Sequence, residues 1–528
     1  MRKLCVLLGL LCGIRMLGEI PAQPKLVVVI MVDELGAEQL FLWQKKFSNG
    51  GISRIINQGT FYPHVAVNSM SLYEGASVAS FFTGATPSTH GIVSRQWFDR
   101  LIQKDINAIN GYSLDVKNDS SVPFRNTSLL CSTLGDELRR VYPGQSKVRA
   151  IGLSPHIITW AKGNNPDGFY TLDEKTGLIK NGSTHDLPQW VNDFNAKKFA
   201  DLYRQREWGP LYDINDYYAS KFRNHGTPHN FLYKFNNDAN YANLIKSPYG
   251  NLMMRDFAVS MIINENLGRD AYPDLLTLSF TLKPGVISSS SQYGIEVEDM
   301  LLRLDNEITG LLGFFDEVIG FNNVLVVLTG AYNQNALPAD NIQADIPTGA
   351  FSGRKALSLL NLYFMAKHGQ GKWVMSYNDG AFYLNEKLIT EKKMSINDFR
   401  QESADLLLQM AGVARAHTYQ QLINESSTLA SRPVYQSFHP KRSGDILIEL
   451  EPGWGEELDN GSVVARPQLN RQIPVLFWGS TVPPQIISNP CNIVDIAPTI
   501  SSFLQISSPN GNVGIPLKEV LDSIRKTK

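Results

Sequence analysis

Cysteine and histidine are scarce in this chain of 528 residues, which contains four cysteines and nine histidines. No Cys-x-x-Cys pair occurs, and the cysteine spacings that mark a zinc ribbon are absent. Two of the cysteines lie in an N-terminal segment that we expect to be removed. The sequence leaves open whether the other two, Cys131 and Cys491, form a disulfide.

An excess of charge of either sign is also missing. Lysine and arginine total 49, aspartate and glutamate total 50, and the formal net charge is -1. Proteins that bind nucleic acid usually carry a basic excess, so we expect no nucleic-acid partner. With 43% hydrophobic and 19% charged residues, the chain is too apolar to be intrinsically disordered.

Long hydrophobic runs are lacking, apart from one short run near the amino terminus. Residues 1–3 (MRK) are followed by an apolar run at 4–14 (LCVLLGLLCGI), which Arg15 ends. This run has about the length of the apolar part of a signal peptide and is too short to span a membrane. We therefore predict a signal peptide at 1–22, no transmembrane segment, and a periplasmic or secreted protein.

The sequence does contain several apolar runs of strand length. They lie at residues 25–32 (KLVVVIMV), 147–153 (KVRAIGL), 274–280 (DLLTLSF) and 323–329 (NVLVVLT). A continuous apolar run predicts a strand that is buried on both faces, as in a parallel sheet. Residues 295–320 separate the last two runs and have helical periodicity, which predicts a β-α-β unit.

Two stretches look like insertions into this α/β pattern. Residues of about 165–250 are rich in Asn, Asp, Tyr and Gly, and their periodicity is weak. Residues of about 350–455 alternate helix and strand patterns, and residues 445–451 (DILIELE) predict a half-exposed strand. No internal repeat and no low-complexity linker occurs. We therefore expect one α/β domain at 23–528 with two insertions.

The order of the motifs resembles the alkaline phosphatase superfamily. More narrowly, it resembles the PafA-like phosphatases, which are close to the nucleotide pyrophosphatase/phosphodiesterases. The matching segments include KLVVVIMVDE (25–34), FFTGATPSTHGI (81–92), PDLLTLSF (273–280), VLVVLTG (324–330) and HPKRSGDILIELEPGW (439–454). The resemblance implies an α/β fold, a three-layer sandwich with a mostly parallel central sheet and inserted cap regions.

The resemblance also implies a chemistry. Members of the superfamily bind two zinc ions through Asp and His side chains, and a Thr or Ser attacks phosphorus. Carboxylates and imidazoles are needed because hydroxyl and amide groups alone hold zinc poorly. At the matching positions this chain keeps one ligand, Asp33, and has Glu74 in place of the nucleophile.

The other zinc-ligand positions carry residues of different chemistry. Residues 281–294 (TLKPGVISSSSQYG) contain no Asp and no His, and Ala331 and Tyr332 stand where the family has Asp and His. No histidine occurs in residues 440–528, where the family has a late ligand. Because zinc affinity requires several such ligands at once, we predict that the zinc pair is lost and that no cofactor is bound.

Positions that contact phosphate in the family are changed as well. Arg95 stands in place of an Asn, and His156 stands in place of one member of a Lys-x-Arg pair. Asp33 could instead cap the loop that follows it, and Glu74 could form a hydrogen bond or an ion pair, for example with Arg95. The candidate ligand-binding residues are therefore Asp33, Glu74, Arg95, His156 and Tyr332.

Three functional hypotheses remain open. The leading one is an exported, catalytically inactive member of the superfamily that binds an unknown protein, as in an envelope assembly, or a small anionic ligand. The alternative is a metal-dependent phosphomonoesterase or phosphodiesterase with a rearranged active site that recruits Asp33, Glu34 and Glu74. A third is the binding of carbohydrate or lipid headgroups through the insertion at 165–250.

Overall fold

The structure is a computed structural model. It describes residues 23–67, 69–109, 128–164, 169–182, 186–218, 230–286, 293–332, 348–424, 433–458, 461–465 and 471–521. The predicted signal peptide at 1–22 lies outside the described residues. None of the described helices is long and apolar enough to cross a membrane.

The described strands form one large sheet and four smaller ones. In chain order they are β1 (Leu26–Asp33), β2 (Thr60–Ala66), β3 (Gln96–Asp99), β4 (Lys104–Asn107), β5 (Val148–Gly152), β6 (Phe169–Leu172), β7 (Ile179–Asn181), β8 (Glu207–Trp208), β9 (Tyr233–Lys234), β10 (Asp274–Thr281), β11 (Val324–Tyr332), β12 (Gly349–Phe351), β13 (Val374–Asn378), β14 (Ala381–Leu384), β15 (Val413–Thr418), β16 (Ile446–Leu450), β17 (Trp454–Glu457), β18 (Val463–Ala465), β19 (Gln472–Gly479), β20 (Gln485–Ile486) and β21 (Cys491–Asn492).

The large sheet has the strand order β20-β2-β19-β11-β1-β10-β5-β6-β7, and β21 also pairs with β2. The five neighbouring strands β11, β1, β10, β5 and β6 are all parallel. Strand β19 runs antiparallel to β11 and to β2, and β7 runs antiparallel to β6. The prediction of a mostly parallel central sheet is confirmed.

Strand β1 shows why the apolar runs form the middle of this sheet. Its side chains alternate between two hydrophobic cores, with Val28 and Ile30 in one and Val27 and Val29 in the other. All four side chains are fully buried. A strand can be apolar at every position only when both faces of its sheet are covered.

Helices cover both faces. They are α1 (Ala37–Trp43), α2 (Ile52–Gln58), α3 (Glu74–Thr83), α4 (Pro87–His90), α5 (Leu134–Val141), α6 (Pro155–Ala161), α7 (Gln189–Ala196), α8 (Phe199–Arg204), α9 (Ala242–Ile245), α10 (Pro248–Glu265), α11 (Ile295–Val318), α12 (Gly353–His368), α13 (Glu386–Glu391), α14 (Ile396–Leu407), α15 (Tyr419–Asn424), α16 (Pro433–Ser437) and α17 (Ile496–Phe503). One core contains side chains of α1, α2, α10 and α11, and the other contains side chains of α3, α5, α6 and α17. The three-layer α/β arrangement is confirmed.

The C-terminal insertion region has a core of its own. Strands β13, β14, β16 and β15 form an antiparallel sheet, which packs against α12 and α14. The strand predicted at residues 445–451 is present as β16, but the prediction that it is half-exposed is wrong. Ile446 and Ile448 of β16 face the third core, whereas Leu447 faces a core of the central sheet. The strand is therefore buried on both faces.

The N-terminal insertion region has no separate core among its described residues. Phe194, Trp208, Tyr217 and Phe231 join the same core as helices α10 and α11. The boundaries proposed for the two insertions, at about 165–250 and 350–455, stay predictions. Cys131 and Cys491 are both buried free thiols, so they do not form a disulfide.

Candidate functional site

The candidate site lies where three central strands end. Asp33 is the last residue of β1, and it is in register with Thr281 of β10 on one side and with Tyr332 of β11 on the other. Carboxyl ends of parallel strands are the usual place for a binding site in open α/β sheets. The structure therefore brings together two of the predicted positions, Asp33 and Tyr332, through backbone register alone.

The chain turns sharply after Asp33. Glu34 has a φ of 65°, a left-handed conformation that is uncommon for residues other than glycine. The residue as a whole is buried, with 6% of its surface exposed. Backbone outliers of this kind occur preferentially at functional sites, where the surrounding structure compensates for their cost.

Glu74 approaches the same strand end from a helix. It is the first residue of α3, directly after Tyr73, and it is partly exposed. The positive end of the helix dipole favours a carboxylate at this position. Burial nevertheless raises the pKa of Glu74, while the charges of Lys283 and Arg95 oppose the rise.

Asp33 is the most strongly perturbed acid of the group. Burial raises its pKa well above the usual value, and the charges of Glu74 and Glu34 raise it further. Burial also raises the pKa of Glu34, against the charge of Lys283. Neighbouring carboxylates in a poorly solvated place disfavour each other's ionised form. The site therefore carries an excess of acidic groups over the cations near them.

Lys283 is the site residue that sequence reasoning missed. Its Nζ lies 3.6 Å from Oε1 of Glu34, and the exposed fractions of the two side chains are 56% and 8%. Burial alone would lower the pKa of Lys283, but the charges of Glu34, Asp33 and Glu74 together raise it. We call Asp33, Glu34, Glu74 and Lys283 the strand-end cluster.

A second group lies next to the strand-end cluster. The Tyr73 hydroxyl accepts a hydrogen bond from Trp160 Nε1 at 3.1 Å and lies 3.4 Å from His156 Nδ1. Burial, together with the charge of Arg95, lowers the pKa of His156 to about 4. His156 is therefore neutral near pH 7, and its Nδ1 can accept a hydrogen bond from the Tyr73 hydroxyl.

Arg95 is exposed, and its charge acts on Tyr73, Glu74 and His156. The ion pair with Glu74 that the sequence suggested does not form, since Arg95 takes part in none of the ion pairs of the described residues. The charges of Lys283 and Arg95 both lower the pKa of Glu74, and Lys283 has the larger effect. Arg95 thus remains available at the solvent side of the site.

The donor groups at this site do not fit a pair of zinc ions. The strand-end cluster supplies carboxylates but no imidazole, and its ammonium group lies beside Glu34. Across the described parts of the chain, no group of three or more His, Cys, Asp and Glu side chains is arranged to hold a metal ion. Zinc sites usually combine nitrogen or sulfur ligands with carboxylates.

Comparison with known proteins gives a consistent result. A family described as type I phosphodiesterase / nucleotide pyrophosphatase matches residues 27–462. The alkaline phosphatase PhoV of Synechococcus elongatus is 28% identical over 520 residues, which cover 95% of this chain and 93% of that protein. The alkaline phosphatase PafA of Elizabethkingia meningoseptica is 28% identical over 541 residues, which cover 98% of each chain.

The fold comparison agrees. The crystal structure of wild-type alkaline phosphatase PafA superimposes with a TM-score of 0.85 at 26% sequence identity, and the match covers 94% of this chain and 99% of that chain. Murine ectonucleotide pyrophosphatase / phosphodiesterase 5 has a TM-score of 0.50 at 11% identity, which is a likeness of fold alone.

Proposed function

Because this chain belongs to the type I phosphodiesterase / nucleotide pyrophosphatase family and is a PafA-like member of the alkaline phosphatase superfamily, we propose that it keeps the family fold but not the family reaction. In this proposal the protein is exported by the segment at 1–22 and binds a ligand at the strand-end cluster. Its ligand is a small anion or an anionic group on a protein partner.

The observation that carries this proposal is the charge of the strand-end cluster. Three carboxyl groups, those of Asp33, Glu34 and Glu74, surround one ammonium group. Phosphoryl transfer requires positive charge that neutralises the equatorial oxygens and the leaving oxygen. A carboxylate stands at the nucleophile position with no imidazole in the strand-end cluster to hold zinc, so the site lacks both a hydroxyl nucleophile and the ligands that usually bring in this positive charge.

The groups that bind the ligand in this proposal are the two cations at the solvent-exposed edge of the site, Arg95 and Lys283. Arg95 is exposed, and Lys283 is 56% exposed, so both can reach an anion in solvent. A guanidinium group binds phosphate or carboxylate through paired hydrogen bonds. The acids behind these cations would limit the affinity for multiply charged anions.

The test uses the purified protein without its signal segment. We expect less than stoichiometric zinc by elemental analysis and no chelator-sensitive turnover of an aryl phosphate or a bis-aryl phosphate. The Asp33→Ala variant is the matched control, since activity from a contaminating phosphatase would be the same in both preparations. Stoichiometric zinc together with saturable turnover that Asp33→Ala abolishes would overturn the proposal.

One observation favours the alternative of a rearranged metal-dependent phosphoesterase. The three carboxyl groups that such a site would recruit, Asp33, Glu34 and Glu74, do lie close enough to perturb one another. Carboxylates without imidazoles suit magnesium or manganese better than zinc. Turnover in the presence of either of these metals, and its loss in Glu74→Gln, would support the alternative.

A further inference from the structure

A cleft lies at the edge of the central sheet, where β21 pairs with β2. Its volume is about 590 Å³, which is within the range of pockets that hold small molecules. Its lining includes Tyr62, Gln436, Cys491, Asp495, Ile515 and Glu519. None of the described residues that line it belongs to the strand-end cluster, so the cleft is a separate candidate site.

One wall of the cleft is an apolar segment near the end of the described chain. Val513 and Ile515 line it and are 60% and 69% exposed. The N–H of Val513 donates to the carbonyl oxygen of Gly84 at 2.8 Å. The N–H of Ile515 donates to Oδ1 of Asp495, also at 2.8 Å. Because the backbone is held, this exposed apolar surface is a preformed contact for an apolar group.

Glu519 brings a weakly engaged carboxylate to the cleft. Its Oε2 lies 3.5 Å from the Tyr62 hydroxyl, and its Oε1 lies 3.4 Å from Nδ2 of Asn489. Both distances are long for a hydrogen bond. Glu519 also takes part in none of the ion pairs of the described residues. Its carboxylate can therefore accept stronger hydrogen bonds from a ligand.

Gln436 of α16 adds an acceptor to the same lining. Its Oε1 is buried and accepts no hydrogen bond from the described residues. A buried amide oxygen without a donor costs free energy of folding. A ligand that donates a hydrogen bond to it would remove this cost.

The charge of the cleft is acidic overall. Asp495 adds a second carboxylate, and Lys518, which is exposed, is the single cation among the described residues of the lining. Burial raises the pKa of the Cys491 thiol to about 12, and the charges of Asp495 and Glu519 contribute to this rise. A negative potential of this kind attracts a cation and repels an anion.

We propose that this cleft binds a small organic cation, a primary ammonium ion that carries an apolar group. The ammonium group donates hydrogen bonds to Glu519 and Gln436, and the apolar group packs against Val513 and Ile515. An ammonium ion has three donors and no acceptor, which suits a lining with acceptors in excess. The described residues include no group of three or more His, Cys, Asp and Glu side chains arranged to hold a metal ion, so an organic cation fits better than a metal. The proposal does not depend on the function proposed for the strand-end cluster.

The experiment compares three probes of similar shape and different charge. Isothermal titration calorimetry of the protein without its signal segment measures the affinity for 2-phenylethylamine, 2-phenylethanol and 3-phenylpropionate. We expect the amine to bind about tenfold more tightly than the alcohol and the carboxylate to bind least. Inorganic phosphate should not displace the amine, because Arg95 and Lys283 lie outside the cleft.

Two substitutions test the two sides of the cleft. Glu519→Gln keeps the size of the side chain and should weaken amine binding about tenfold, with the alcohol unaffected. Ile515→Ser should weaken the binding of both probes and should fold normally, since Ile515 is 69% exposed. Glu457→Gln is the matched control, because this acid pairs with the exposed Lys355 at 3.1 Å and lies outside the cleft.

The proposal is overturned if the amine and the alcohol bind equally, if the carboxylate binds most tightly, or if none of the three probes binds measurably. Amine binding that both Glu519→Gln and Ile515→Ser leave unchanged would overturn it as well, since the amine would then bind elsewhere. If circular dichroism shows that Glu519→Gln does not fold, Ile515→Ser and the comparison of the three probes decide.

Discussion

Two groups of buried or half-buried acids in this protein have very different surroundings. Asp445, which is 1% exposed, accepts hydrogen bonds from Arg400 Nε and Nη2 at 2.9 and 2.7 Å and from Arg100 Nη2 at 3.2 Å. The N–H of Leu384 adds a fourth bond at 2.9 Å. At the strand-end cluster, by contrast, no side chain of the described residues donates a hydrogen bond to Asp33 or Glu74.

The difference separates a structural site from a binding site. Asp445 lies between the third core and the central sheet, and both of its oxygens are engaged by protein donors. A buried acid that several donors engage at once fixes one arrangement of the chain around it. The carboxyl groups of Asp33 and Glu74 have backbone hydrogen bonds, and burial raises the pKa of both. Acids perturbed in this way concentrate at functional sites.

The largest expected effect is on the structural group. Asp445→Asn removes the charge that neutralises Arg100 and Arg400, so we expect the free energy of unfolding to fall by about 3–5 kcal/mol. Urea denaturation followed by circular dichroism measures the change. Glu174→Gln is the control, because its pair with Lys246 is exposed on both sides and should contribute less than about 1 kcal/mol. Equal losses of unfolding free energy in Asp445→Asn and Glu174→Gln would contradict the structural role of Asp445.

His90 should show a pH-dependent effect of intermediate size. The imidazole is fully buried, it accepts a hydrogen bond from the N–H of Ile92 at 3.1 Å, and burial together with the charge of Arg442 lowers its pKa to about 3. The unfolded chain takes up a proton near pH 6.5, whereas the folded chain does not. Stability is therefore fully present above pH 6.5 and falls as the pH falls toward 3.

The measurement is the free energy of unfolding from pH 7.5 to pH 5. We expect His90 to account for a loss of about 2 kcal/mol between pH 6.5 and pH 5. The variant His90→Gln should be less stable than the natural protein at pH 7.5 but should lose less on acidification. An identical pH profile for the two proteins would show that His90 does not titrate as a buried neutral group.

The substitution Glu74→Gln should raise stability, and by less than the losses expected for Asp445→Asn and for the acidification of His90. Burial raises the pKa of Glu74, so its ionised form destabilises the fold, and this cost grows as the pH rises above 4.5. We expect the neutral amide to stabilise the protein by about 1 kcal/mol at pH 7.5 and to make no difference at pH 4. Thermal unfolding at the two pH values tests this, and destabilisation at pH 7.5 would place Glu74 in the structural class.

Arg95→Ala should have the smallest effect on stability. The side chain is exposed and takes part in none of the ion pairs of the described chain, so the change should stay within about 0.5 kcal/mol. Its effect should appear instead in the binding of inorganic phosphate, which we expect to weaken about tenfold by calorimetry. If phosphate binding is unchanged in Arg95→Ala, Arg95 does not contribute to the binding site.

The sequence predicted the sheet well because its strands are uniformly apolar. Such runs are strands in any parallel sheet, and the family resemblance supplied their order. The resemblance also supplied Asp33 and Glu74, which the structure places close together. Lys283 escaped notice, although it follows the third apolar run by only a few residues, because its role depends on the register between β10 and β1. Strand register over long distances is not visible in local composition.

The prediction that one face of β16 is exposed was wrong for a related reason. Residues 448–451 (IELE) alternate apolar and acidic side chains, a pattern that ordinarily indicates one solvent-exposed face. Here Glu449 is buried, and its Oε1 lies 2.6 Å from His417 Nε2, with Arg415 nearby. Partners on strand β15 therefore allow an acid to face inward, and single-sequence periodicity does not reveal such partners.

The central position of β1 in the sheet also determines when its native strand pairings can form during synthesis. This first strand is paired on both sides, with β10 and β11, and both neighbours belong to the second half of the chain. During synthesis, β1 therefore has no partner strand in this sheet until about half of the polypeptide has been made, and such long-range pairings form slowly. The middle of the central sheet therefore forms late in synthesis, although its central strand is made first.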